Sequence, residues 1–227
     1  MRKMTGFLNK AYLSHAVIAL ILLSGFSIRS GICQEIPDKK ASDDKVETFL
    51  ETHKGNWHNW NIPYSDGKVL YDLVLKNNYK KAVEVGTSTG LSAIWIAWAL
   101  SKTGGKLITI EIDEDRYKQA LANFKEAGLS EYIDARLANA HELVEKLEGP
   151  FDFVFVDADK DWSKNYFTAF APKLAVGGCF TAHNARNTGM RGITEFLGYV
   201  KSLPNFKTTI DTTSRSGISI SYKIAGD

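Results

Sequence analysis

The sequence predicts an α/β fold: a doubly wound, mostly parallel sheet with helices on both faces and an antiparallel last strand. Three observations carry this. Short β-branched or aromatic runs alternate with longer runs whose apolar residues recur at helix spacing. The strand runs are almost continuously apolar, as strands covered on both faces are. The final two strand-like runs, 206–210 and 218–222, have no helix between them, so one of them turns back against its neighbour.

The elements follow in order. Residues 81–85 (KAVEV), 106–112 (KLITIEI), 151–157 (FDFVFVD) and 178–182 (GCFTA) read as strands bounded by glycine or charge, and 132–137 as a weaker one. Residues 91–100, 114–127, 140–147 and 164–174 read as the helices between them. Upstream, 34–45 (QEIPDKKASDDK) is polar and reads as a tether, and 34–60 as a tether followed by a cap helix before a domain at 61–227.

The first 33 residues differ from the rest. They contain Arg2, Lys3, Lys10 and Arg29 and no acid, and 16–28 (AVIALILLSGFSI) is an uncharged apolar run. Its 13 residues fall short of the roughly 20 needed to span a bilayer and suit a signal-peptide core, with a cleavage site near Cys33; an uncleaved anchor stays open. Basic charge ahead of the run places the domain away from the cytoplasm, exported or membrane-anchored, with a cytoplasmic location not ruled out. The 227 residues hold 28 Lys and Arg against 26 Asp and Glu, so the chain beyond residue 33 has 24 bases and 26 acids. A body that is not basic excludes nucleic acid as a default partner. Cys33 and Cys179 are the only cysteines, too few for a disulfide framework or a cysteine zinc site.

The chemistry gathers at strand ends. After the first strand, Glu84-Val85-Gly86-Thr87-Ser88-Thr89-Gly90-Leu91-Ser92 makes a strand, glycine loop and helix start. Such a loop lets a ligand approach the backbone, though taken alone it is also an ordinary tight turn. Ser88 stands where a dinucleotide fingerprint has its middle glycine, which weakens a nicotinamide or flavin reading. Glu84 would repel phosphate and attract an ammonium. Glu111 ends the second strand 25 residues beyond Gly86, where a carboxylate can bind ribose hydroxyls or simply face water. Together the loop and the spaced acid point to an adenosine-bearing cofactor.

The fourth strand ends in Asp157-Ala158-Asp159-Lys160, with Tyr166 beyond it. With residues 84–92, this resembles the class I S-adenosylmethionine-dependent (SAM-dependent) O-methyltransferases of the catechol and caffeoyl-CoA type. The likeness runs from about Ile62 to Lys223, including Ile62-Pro63, Gly67 and the closing run 216–223. It implies a Rossmann-like seven-stranded sheet with a reversed last strand. It also implies methyl transfer from SAM to a hydroxyl of a small, catechol-like acceptor. Glu84, Gly86 and Ser92 would line the methionine part of SAM, Glu111 its ribose, and Ala140 the adenine with Asn139 alongside. Asp157 would lie near SAM and ligate a divalent metal, Asp159 would border the site, and Lys160 would be the general base. Asn184 matches the second residue of the family's Asp-Asn metal pair, but His183 stands where that aspartate belongs, and Ser163 stands where a tyrosine is usual. Imidazole in place of carboxylate removes a charge and adds a softer ligand, leaving open Mg²⁺, a softer ion such as Mn²⁺, Fe²⁺ or Zn²⁺, or no metal.

Other residues carry weaker expectations. Trp57, His58 and Trp60 either cover an acceptor or pin the N-terminal helix. Trp95 and Trp98 read as core, Cys179 as a buried strand residue, and His53 and His141 as helix-surface residues without a role. A catalytically silent SAM-binding module and a nicotinamide-dependent oxidoreductase are the competing functions; a homodimer is left open.

Overall fold

The computed structural model describes residues 39–58 and 60–226. The expected leader at 1–33 lies outside the described residues. Seven strands, β1 (Lys81–Val85), β2 (Lys106–Glu111), β3 (Ile133–Leu137), β4 (Phe151–Val156), β5 (Leu174–His183), β6 (Phe206–Asp211) and β7 (Ile218–Lys223), form one sheet in the order β3-β2-β1-β4-β5-β7-β6. The first five are parallel, and β7 inserts antiparallel between β5 and β6. The chain order reverses between β1 and β4, which opens a crevice at the carboxyl ends of the central strands.

Alternation along each strand splits the core in two. Ala82, Phe153, Phe155 and Cys179 face one cluster, under α1 (Lys39–Thr52), α2 (Tyr64–Lys76), α3 (Leu91–Thr103) and α4 (Glu114–Ala127). Val83, Val85, Val154, Val156 and Phe180 face the other, under α5 (Ala140–Lys146), α6 (Ser163–Phe170) and α7 (Arg191–Ser202). This is the period-2 signature of a sheet buried on both sides.

Three boundaries differ from the sequence expectation. The tether turns helical at Lys39, because Val46, Phe49 and Leu50 bury one face of α1 and Asp43 accepts a 2.7 Å hydrogen bond from the Trp98 indole. The run 164–174 is no single helix: α6 stops at Phe170, Pro172 follows in a 3₁₀ turn, and Leu174 already opens β5. Helix α7, which packs Ile193, Phe196, Leu197 and Val200 inward at helical spacing, was not among the expected elements. Trp95, Trp98 and Cys179 are buried as expected.

Candidate active site

At the carboxyl ends of β1, β2, β4 and β5 lies a cavity of about 640 Å³, within the range of small-molecule sites. Its floor depends on Gly86. That residue has φ of 97°, and a Cβ there would lie 2.6 Å from the Asp157 carbonyl oxygen, so only glycine lets the loop pass β4. Ser88 takes the left-handed conformation and donates its amide to Glu111 Oε2 at 2.7 Å. Glu111 Oε1 accepts from the amides of Ile112 and Asp113 and from the Arg116 guanidinium, so the carboxylate is fixed toward the cavity before any ligand arrives. Asn139 caps α5 by accepting the His141 amide, and Asn139 and Ala140 both line the wall.

Of the expected site residues, Gly86, Glu111, Asn139, Ala140, Asp157, Lys160 and Asn184 line this one cavity. Glu84 and Ser92 sit behind the glycine loop, buried and off the cavity wall. Thr109 donates to Glu84 Oε2, while Glu84 Oε1 has no hydrogen-bond partner. Burial pushes the Glu84 carboxyl up to about 8, against the hydrogen bonds of Ser92 and Thr109. An orphaned, buried carboxyl oxygen behind the loop fits a ligand that brings an ammonium group.

His183 is buried and does not reach the cavity wall. Its Nε2 lies 2.8 Å from Asp66 Oδ2 and its Nδ1 3.2 Å from Asp157 Oδ2. Burial disfavours the imidazolium, but hydrogen bonds to Asp157 and Asp66 outweigh it and raise His183 to about 9. Each ring nitrogen faces a carboxylate oxygen. Burial likewise raises the Asp157 carboxyl, yet His183 and Lys160 outweigh it and hold it below the usual carboxylate range. Lys160 Nζ contacts Asp157 Oδ1, so both oxygens of Asp157 face cationic donors.

That donor set does not fit a divalent cation. Both oxygens of Asp157 are already met by Lys160 and His183, each His183 ring nitrogen already faces a carboxylate, and His183, expected as a ligand, instead bridges Asp66 and Asp157. Among the described residues, no group of three His, Cys, Asp or Glu is arranged to hold a metal ion.

Several site residues escaped the sequence reading. Asp66, fully buried in α2, is 117 residues from His183 and reads in sequence as an ordinary acid in a first helical turn. His141, expected to have no role, lines the cavity and stacks on Trp162 at 3.8 Å with an 11° interplanar angle. Met190 lines the same cavity. The two tryptophans before α2 are placed differently. Trp57 donates to the Tyr64 hydroxyl and packs on the core, whereas Trp60 is 86% exposed and lines the cavity.

The switch-point crevice, the glycine loop and the oriented acid at the end of β2 define a Rossmann-like protein with a cofactor-sized cavity. The sequence profile of the O-methyltransferase family matches residues 40–198, and the chain belongs to that family. It is 35% identical over 129 residues to caffeoyl-CoA O-methyltransferase 1 of Eucalyptus globulus, covering 53% of this chain and 52% of that one. It is 40% identical over 107 residues to a catechol O-methyltransferase of Niastella koreensis, covering 45% and 48%. The chain thus spans about half the length of the curated relatives it matches. In structure it is similar to an O-methyltransferase from Bacillus cereus in complex with SAH, with a TM-score of 0.70, 26% identity, and coverage of 84% of this chain and 93% of that one.

Proposed function

We propose that this chain transfers a methyl group from SAM to a hydroxyl oxygen of a small aromatic acceptor, with Lys160 removing the proton. The observation that carries the reading is the convergence on one cavity of the Gly86 loop, the fixed Glu111 carboxylate and the Asp157–Lys160 pair. The relatives named for caffeoyl-CoA and catechol support the acceptor class.

When bound, SAM supplies an electrophilic methyl on a sulfonium and leaves as its thioether once the S–CH₃ bond breaks and the O–CH₃ bond forms. The residues of the chain do the rest. Glu111 would hold the ribose hydroxyls, Asn139 and Ala140 the adenine edge, and the ammonium would meet the orphaned Glu84 oxygen. Lys160 is placed to take the hydroxyl proton once its own has left to solvent, and Asp157 beside it stabilises the ammonium so formed. Trp60, Met190 and Tyr166 give the acceptor apolar and aromatic walls. Holding donor and acceptor in line supplies the larger part of the rate.

Lys160→Met should lower turnover about a hundredfold or more while SAH affinity, measured by calorimetry, stays within about twofold. An unchanged rate with intact affinity rejects Lys160 as the base. A catalytically silent SAM-binding module is the second reading, favoured by the Lys160–Asp157 contact that ties up the base. It predicts SAM and SAH uptake with no methyl transfer to any phenol, whereas an oxidoreductase would take up NAD instead.

A further inference from the structure

We propose that the acceptor half of the cavity works without a metal ion, with the Asp66–His183–Asp157 chain standing where a divalent cation would sit. A single hydroxyl in the acceptor then suffices. This rests on the methyl-transfer reading above and names its substrate class: phenols with an isolated hydroxyl as well as vicinal diols.

The geometry is a built one. Asp66 is fully buried, and its Oδ2 accepts both His183 Nε2 and the Ser214 hydroxyl, each at 2.8 Å. Ser214 Oγ in turn accepts the Gly217 amide at 3.1 Å, so the loop between β6 and β7 fixes the aspartate from the far side. His183 reaches Asp157 Oδ2 with its other nitrogen, and Lys160 reaches Oδ1. A dication binding Asp157 would have to displace both His183 and Lys160 from its oxygens, leaving the second ring nitrogen of a buried histidine without a partner.

The catalytic consequence follows from what a cation does in such a site: it chelates two neighbouring oxygens and stabilises the developing phenolate. Without a chelating ion, Asn184 and Lys160, which both line the cavity, would be left to hold a single acceptor oxygen. Asn184, just past β5, lines the cavity in the left-handed conformation, at φ of 62°, an uncommon backbone state. His183 and Asp66 act as positioning residues: they keep Asp157 oriented so that it can receive the Lys160 ammonium.

The test uses the whole protein saturated with SAH and titrated with millimolar Mn²⁺, with the free ion followed by electron paramagnetic resonance. In parallel, methyl transfer from SAM to phenol and to catechol is measured with and without EDTA. We expect the free-ion signal of buffer alone, turnover within about twofold on chelation, and the two acceptors within about tenfold of each other. Stoichiometric Mn²⁺ uptake that Asp157→Asn abolishes overturns the proposal. So does a chelator loss that Mg²⁺ restores, or a catechol preference beyond about a hundredfold. The double variant Asp66→Asn/His183→Asp rebuilds an open pair of carboxylates beside Asn184 and should gain Mn²⁺ uptake. A folded double variant that takes up none overturns the claim that His183 is what excludes the cation. SAH uptake without transfer to either acceptor sinks the methyl-transfer reading and the acceptor class that rests on it, and the Mn²⁺ titration still decides the metal claim by itself.

Discussion

Glu84 is fully buried, and one of its carboxyl oxygens has no partner. With the carboxyl pushed up to about 8, the free protein holds it neutral at pH 7, so glutamine there has nearly the same shape and charge. Glu84→Gln should therefore leave the melting temperature near neutrality unchanged. An ammonium arriving from a cofactor changes that balance, because it favours the ionised carboxylate, which glutamine cannot provide. SAH affinity in the variant should fall roughly 10- to 100-fold, the scale of one charge-assisted hydrogen bond. Calorimetry on folded variant settles it, and unchanged affinity removes Glu84 from the cofactor site. At the same scale the DADK run was legible because its residues are neighbours in sequence. The partner of His183 was not, because nothing near Asp66 marks it.

Among elements, α7 packs against the turn that carries Lys160. Gly192 opens that helix, and a Cβ on it would lie 2.1 Å from the Lys160 carbonyl oxygen and 2.5 Å from the Asp161 Cα. The contact is backbone to backbone, so neither side can rotate out of the way. Gly192→Ala should move the 160–162 turn and with it the Lys160 side chain, destabilising the fold by about 1–3 kcal/mol. Turnover should fall further than the lost stability accounts for, and SAH affinity should change little because the glycine loop and Glu111 lie on other elements. Stability, affinity and turnover measured together check this; a variant with full activity shows that the turn absorbs the methyl group elsewhere. The strands and α3, α4 and α5 were close to their expected positions, since burial at period 2 or 3.6 is written locally. The start of α1 was not, because its first turns are polar and it is held through Val46, Phe49, Leu50 and the Asp43–Trp98 bond, contacts made only in the assembled core.

For the molecule as a whole, Glu84 and His183, raised into the neutral and mildly alkaline range, set the pH response there. Glu84 rises from 4.5 to about 8 and His183 from 6.5 to about 9. A raised value means the folded protein binds the proton more tightly than the unfolded chain. The stability linked to Glu84 is therefore full below 4.5 and lost as pH rises through about 8; that of His183 is full below 6.5 and lost through about 9. Asp157, held low, acts oppositely and loses its contribution only in acid. The ligand-free protein should melt at a higher temperature near pH ~6 than near pH ~9. Thermal scans across that range check the sign, and a rise in stability toward alkaline pH contradicts the buried imidazolium. The N-terminal 33 residues carry a separate expectation. Fractionation should find the protein exported or with the membrane, and mass spectrometry of the mature N-terminus should begin near Gln34 if the leader is cut.

The sequence by itself determined the layered α/β architecture, the glycine loop, the acid at the end of β2 and the Asp157–Lys160 pair. The loop and the pair are each encoded by residues within a few positions of one another, the acid by its place at a strand end 25 residues beyond Gly86, and the architecture by local periodicity. Only the tertiary structure decided what His183 does. Its two carboxylate partners come from α2 and from the end of β4, 117 and 26 positions away, and they meet it because packing in the folded chain brings α2 and the end of β5 together. No local pattern encodes that meeting, since it depends on how the whole chain packs.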